Sequence, residues 1–233
     1  DAVDGFNFER GRVPLDEFFT HIREAMAKRT GASAYVGSTD LGIFFPGLRD
    51  ENDLVLNDAM FDSHAPLVSI WMGNHTIASA HYDMSHNLAC CMVGKRTFTL
   101  FPPDQVANLY PGPLEPTPGG QVVSMVDFRQ PDLDRYPRFR QAMAAGQVAE
   151  LEPGDVLFYP ALWWHNVEGF GDFTAMINYW WNTSPGFMDT PQNTLLHAML
   201  SLRDRPDPEK QAWKALFDYY IFGPSDRPAE HLP

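Results

Sequence analysis

Cysteine is almost missing from this chain. There are two in 233 residues, and they are neighbours, Cys90 and Cys91. Adjacent residues of a strand point to opposite faces, so these two are poorly placed to bridge each other. That excludes a small fold built on disulfides and makes a reducing, cytoplasmic setting the expectation. Positive charge is also scarce: 17 Lys and Arg against 30 Asp and Glu leave a formal net charge of −13. A protein that lives on nucleic-acid phosphates or on an anionic membrane surface needs the opposite balance, so neither partner is expected. No apolar run approaches the roughly 18 residues of a membrane helix. No repeat or low-complexity tract is evident, and no leader-like segment is visible after Asp1.

What is present is aromatic and apolar substance, 13% and 44% of the chain, enough for a sizeable core. Twenty prolines and seventeen glycines punctuate the sequence as in a fold of many short strands. Helical patterning opens the chain from Pro14 to Lys28, with Asp16 and Glu17 near its start, Lys28 and Arg29 near its end, and Gly31 as the stop. Strands are expected at Leu67–Met72, Ile77–Tyr82, Asn87–Val93, Arg96–Phe101, Gln121–Asp127, Asp155–Tyr159, Trp164–Val167 and Phe173–Trp181. A short helix, Tyr136–Ala145, interrupts them. Two more helices follow, opened by Thr190-Pro191 and Asp207-Pro208. Leu195, Leu196, Met199, Leu200 and Leu202 form a broad apolar face on the first, and Trp213, Leu216, Phe217 and Tyr220 one on the second. The expected organisation is a β-rich domain over residues 1–185 and a helical segment over 186–233.

The chemistry concentrates in His81-Tyr82-Asp83 and, far downstream, His165. Residues two apart in a strand project on one side, so His81 and Asp83 can reach one point. Two imidazoles and one carboxylate on one face of a metal leave other positions open, the ligand set of non-haem Fe(II) enzymes that use O2. A lone His-x-Asp is weak evidence, because one chance occurrence is plausible among eight histidines. The context strengthens it. His165 follows a Pro153-Gly154 turn, the apolar run Val156–Tyr159, the Pro160 break and the Trp163-Trp164 pair.

Together with Gly94, Phe101-Pro102-Pro103-Asp104-Gln105, Leu109-Tyr110-Pro111, Val126-Asp127-Phe128 and Pro131-Asp132, these strings resemble the Jumonji C branch of the cupin-type Fe(II)- and 2-oxoglutarate-dependent oxygenases. Within it they come closest to the asparaginyl hydroxylase that acts on hypoxia-inducible factor. The resemblance is strongest over residues 73–182 and reaches back to Tyr35. It implies a mainly β double-stranded β-helix, or jelly roll, with the metal in its mouth and His81, Asp83 and His165 as Fe(II) ligands. It also implies 2-oxoglutarate as co-substrate, with its far carboxylate held by Arg96, where the nearest relatives carry Lys, and by Tyr35. Asn87 and Asn178 match amides near the co-substrate and metal. Ala78 stands where relatives often have a hydroxyl, so Ser79, Thr76 or water would supply that contact. Trp180 and His86, with Val68 and Ile70, are the expected substrate pocket.

The implied activity is O2-dependent hydroxylation of a protein or peptide side chain, with release of succinate and CO2. Val122 and Val123 stand where the asparaginyl hydroxylase has a polar pair gripping its target amide, so that target is not carried over. The C-terminal helices of the resembling enzymes build a two-fold dimer, which makes a homodimer the expectation here. Two rivals stay open: a catalytically silent metal-binding regulatory module, and a Zn-dependent cupin hydrolase or isomerase.

Overall fold

A computed structural model describes residues 11–28, 33–114 and 120–232. The expected helix end at Arg29 and Gly31 lies outside them. The chain divides into two compact units, residues 1–183 and 184–233.

The first unit carries seven strands: β1 (Tyr35–Asp40), β2 (Leu67–Gly73), β3 (Thr76–Tyr82), β4 (His86–Phe101), β5 (Gln147–Leu151), β6 (Val156–Tyr159) and β7 (Trp164–Trp181). Helix α1 (Leu15–Lys28) precedes them, and α2 (Leu41–Phe44), α3 (Met60–Ser63) and α4 (Phe139–Ala145) sit in the connections. All pairings are antiparallel. Strands β2 and β3 run end to end along β7, β7 runs along the whole of β4, and β5 and β6 run end to end along β4. Each long ribbon folds over midway. One layer is therefore β1-β2-β7-β4-β6 and the other β3-β7-β4-β5, a mainly β jelly roll.

Four expected strands are two continuous ones. Asn87–Val93 and Arg96–Phe101 are halves of β4, and Trp164–Val167 and Phe173–Trp181 are halves of β7. Register shifts after Cys91 and Val93 let β4 turn the corner without leaving its partner. Gly94 sits there at φ +76°, where a Cβ would lie 2.8 Å from Thr174 Cγ2 and 3.1 Å from the Phe170 carbonyl, so only glycine fits. The expected strand Gln121–Asp127 is an irregular segment held by isolated bridges, His81 to Val123 and Pro111 to Ser124. Strands β1 and β5 were not expected from the sequence.

Period-two alternation sorts the side chains. Even-numbered Val68, Ile70 and Met72 of β2 face outward and pack with Phe18 and Ile22 of α1. Ala89, Cys91, Phe98, Leu100 and Met176 face the space between the layers. Cys90 belongs to the outer cluster and Cys91 to the inner one, and both are free thiols. Burial pushes the Cys90 thiol up to about 11. A third cluster, with Leu109, Val122, Phe139 and Trp164, covers the other layer from outside.

The second unit holds α5 (Pro191–Leu202) and α6 (Asp207–Tyr220). Thr190 caps α5 by accepting from the Gln192 N–H, and proline at the first turn needs no partner for its absent N–H. Neither helix buries a residue: Leu200 is 86% and Tyr220 63% exposed.

Candidate metal centre

The two histidines are brought together by register. His81 of β3 stands directly opposite His165 of β7, with ring centroids 4.3 Å apart. Asp83, just past the end of β3, adds a carboxylate whose Oδ2 lies 3.5 Å from His165 Nε2. One ligand atom from each of the three lies within 4.8 Å of the others. His81 Nδ1 is 2.8 Å from the Ser79 carbonyl and His165 Nδ1 is 3.0 Å from the Trp163 carbonyl. A neutral imidazole donating from Nδ1 to a carbonyl presents a lone pair at Nε2, the arrangement a ligating histidine needs. Burial, joined by the neighbouring His165, lowers the His81 pKa to about 4 against the pull of Asp83 and the Ser79 carbonyl. Burial pushes Asp83 upward, but His165, His81 and the Gln121 amide outweigh it and keep the carboxyl below its ordinary range. The His81 imidazole is thus neutral and the Asp83 carboxylate ionised at neutral pH, and the Nδ1–carbonyl contacts of both histidines turn Nε2 toward the shared point. This donor set fits a divalent first-row metal with open positions.

Further inside lies Arg96, 2% exposed, whose Nη2 donates to Thr174 Oγ1 at 3.2 Å. Among the described residues no carboxylate pairs with it, and its Nε has no partner. Burial lowers its pKa, with the Tyr35 phenol and the Cys91 thiol opposing. Tyr35 is 44% exposed overall, and burial of its phenol raises the pKa against the opposing pull of the Arg96 guanidinium. Lys95 points out to solvent and pairs with Glu152. The hydroxyl beside Arg96 is that of Thr174, whereas the sequence-based expectation is Ser79, Thr76 or water.

Asn87 and Asn178 are both buried and meet between the layers, Asn178 Nδ2 lying 3.4 Å from Asn87 Oδ1. Trp180 shares this interior, edge-on to Trp71 with centroids 5.7 Å apart, and its indole N–H is buried without a partner. Three of the expected pocket residues lie elsewhere. Val68 and Ile70 are 3% and 7% exposed in the core beneath α1, because β2 alternation that turns Trp71 inward turns them out. His86 is likewise opposite to Asn87 and packs on the outer face between Phe158 and Trp181, with ring centroids 6.3 and 5.6 Å away.

The sequence reading also missed three participants. Gln121 donates to Asp83 Oδ1 at 3.0 Å. Trp71 donates from Nε1 to Asn178 Oδ1 at 2.7 Å. The Tyr159 hydroxyl accepts from Asn87 Nδ2 at 2.5 Å, and its ring lies 4.8 Å from that of His165. An inward-facing tyrosine or tryptophan in a strand carries no local signal that separates it from core.

A family model for the cupin-like domain matches residues 1–187. Among curated proteins the chain is similar to lysine-specific demethylase JMJ31 of Arabidopsis thaliana, 28% identical over 76% of this chain and 36% of the relative. Human HSPB1-associated protein 1 is 37% identical over 48% of this chain and 23% of its own length. The tRNA wybutosine-synthesizing protein 5 of Danio rerio is 28% identical over 77% and 56%. The chain therefore spans between about a quarter and just over half of the length of these three relatives. The match of the family model over most of the length, on a jelly roll with two histidines and an aspartate converging at one end, shows that the chain belongs to the cupin-like domain family.

Proposed function

We propose that this protein is an Fe(II)- and 2-oxoglutarate-dependent dioxygenase that hydroxylates a protein or peptide side chain. The observation that carries this reading is an inventory of unpaired donors. Ser69 Oγ, Arg96 Nε and Trp180 Nε1 are all buried without partners. A buried guanidinium without a counter-charge is costly, and so is each unmade hydrogen bond. An acceptor-rich dianion that ends on Arg96 and reaches the triad would relieve these costs, and 2-oxoglutarate has that form.

In this reading His81, Asp83 and His165 hold the metal. Arg96, Tyr35 and Thr174 hold the far carboxylate, the guanidinium being suited to grip it with two parallel hydrogen bonds. Asn87 and Asn178 orient the ligand between the two ends, and Trp180 borders the space left for substrate. Bound Fe(II) and 2-oxoglutarate would supply the activation of O2, with the keto acid leaving as succinate and CO2 and one oxygen atom passing to the substrate.

The similarity to a lysine-specific demethylase supports an amino-acid side chain as acceptor. The net charge of −13 disfavours RNA, although one relative is named for tRNA modification. Buried free thiols support a reducing compartment such as the cytoplasm. No helix among the described residues is long and apolar enough to cross a membrane. The exposed apolar faces of α5 and α6 support a homodimer built through the second unit.

Succinate release measured by mass spectrometry, with Fe(II), 2-oxoglutarate and pooled peptides or extracts, tests the activity. Succinate that requires O2 and disappears in His81→Ala is expected. A wild-type protein that binds metal but yields no more succinate than His81→Ala is instead the silent binding module.

A further inference from the structure

Four side chains form a one-way hydrogen-bonded chain across the interior: Trp71 to Asn178, Asn178 to Asn87, and Asn87 to Tyr159. Its direction is fixed at one end. An indole N–H can only donate, so the atom of Asn178 that faces Trp71 must be the carbonyl oxygen. The Asn178 amide nitrogen then faces Asn87 and requires the Asn87 oxygen there. That turns the Asn87 nitrogen toward Tyr159. The Tyr159 oxygen is therefore an acceptor in this chain, and its own hydrogen is left to point elsewhere.

The place where that hydrogen sits is informative. Tyr159 is 3% exposed. Its ring packs on His165, and burial, joined by the negative charge of Asp83, pushes its phenol up. The ring contact with His165 and the bond from Asn87 place it beside the metal-ligand end of the interior. We propose that the Tyr159 hydroxyl, aimed by the Trp71–Asn178–Asn87 chain, is a positioning residue that donates a hydrogen bond to the metal-side carboxylate of the keto-acid co-substrate. The inference rests on the oxygenase reading above and goes beyond it in giving Tyr159 and Trp71 parts that neither the motifs nor the ligand triad assign.

A tyrosine that merely fills core would make a different prediction, and anaerobic binding separates the two. Fe(II) is titrated first, then 2-oxoglutarate, following the visible metal-to-keto-acid charge-transfer band. Tyr159→Phe keeps the ring and removes only the hydroxyl. It is expected to bind Fe(II) within twofold of wild type, to raise the 2-oxoglutarate Kd about tenfold, the worth of one hydrogen bond to a charged group, and to move the band maximum. Trp71→Phe touches neither the triad nor Tyr159, frees Asn178 to flip, and is expected to shift the same two quantities in the same direction by less. It also provides the reading if Tyr159→Phe does not fold. Both variants giving wild-type Kd and an unmoved band would overturn the proposal with the oxygenase reading intact. Absence of any band in metal-loaded wild type would overturn both.

Discussion

Gln121 and Asp83 are joined by a 3.0 Å hydrogen bond that ties an irregular segment to the end of β3, 38 positions away in sequence. It occupies Oδ1 of the aspartate, while Oδ2 is the oxygen turned toward His165. A carboxylate held by one oxygen offers the other to a metal, which keeps the metal's remaining positions open. The Gln121 segment is itself anchored to β3, by the His81–Val123 bridge and by the Ser124 N–H on the Ala80 carbonyl at 2.7 Å.

Removing that amide should loosen the aspartate without touching a ligand. Gln121→Leu is expected to weaken Fe(II) or Co(II) binding by roughly 10- to 100-fold, the usual cost of losing a partner that orients a metal-binding side chain. The Co(II) absorption spectrum is expected to change as the carboxylate gains freedom to bind through both oxygens. Affinity and spectrum matching wild type would show that Asp83 is held well enough by the backbone alone.

Arg96 gives a prediction with opposite signs for stability and binding. The guanidinium is 2% exposed, pairs with no carboxylate among the described residues, and leaves Nε unpartnered. Replacing even a buried ion pair by apolar side chains is often neutral or stabilising by about 1–4 kcal/mol, and an uncompensated charge has no partner's attraction to lose when its desolvation cost is removed. Arg96→Met should therefore leave the ligand-free melting temperature unchanged or raise it, while abolishing the thermal shift that saturating 2-oxoglutarate gives wild type. Arg96→Lys should retain part of that shift, because a point charge replaces a planar fork. A drop in the ligand-free melting temperature of Arg96→Met would mean that Thr174 and Tyr35 already compensate the charge.

Acid should weaken the metal-free protein through His81. Its pKa is about 4 in the folded state, where burial and His165 disfavour the charged ring, against 6.5 for an ordinary imidazole. Above pH 6.5 neither the folded nor the unfolded form is protonated there, and the group is neutral to stability. Between 6.5 and 4 the unfolded chain takes up a proton that the folded one refuses, so stability falls as pH falls, by up to about 1.4 kcal/mol per pH unit. Asp83 acts only lower, because its folded pKa is depressed below 3.8. Urea melts in chelator at pH 7.5, 6 and 5 should show a shallower pH dependence for His81→Gln than for wild type. Parallel curves would indicate that the unfolded and folded imidazoles titrate alike.

The convergence of His81, Asp83 and His165 was legible in the sequence because the first two lie two residues apart at the end of one strand and the third sits in a distinctive Pro-Gly, strand, Pro, Trp-Trp context. Arg96 came from the resemblance to the oxygenase family, and its inward place agrees with strand alternation, since its neighbour Lys95 faces solvent. Parity was also where the reading failed. His86 and Asn87 cannot both face inward, and Val68 and Ile70 cannot share a face with Trp71, but an apolar residue near a site looks the same from sequence whether α1 or a ligand covers it. The long strands β4 and β7 read as four pieces because the bend at Gly94 and the glycines at 169 and 171 look like turns until their partners are known. Gln121 carried no signal at all, since its segment has no regular period and its contact is made by tertiary placement.

The second unit yields the last prediction. Leu195, Leu196 and Leu200 of α5 are 44%, 40% and 86% exposed, and Trp213, Leu216 and Tyr220 of α6 are 43%, 45% and 63% exposed. Several large apolar side chains on two adjoining helices make a patch that a soluble chain normally covers, and a second copy presenting the same faces would do so by two-fold symmetry. Leu200→Asp would place a charge in that interface. It should convert a dimer into a monomer at micromolar concentration in sedimentation equilibrium, and it should leave Fe(II) binding by the first unit unchanged, because His81, Asp83 and His165 all belong to that unit. Wild-type protein sedimenting as a monomer under the same conditions would remove the dimer, and these faces would then be covered by something other than a second copy.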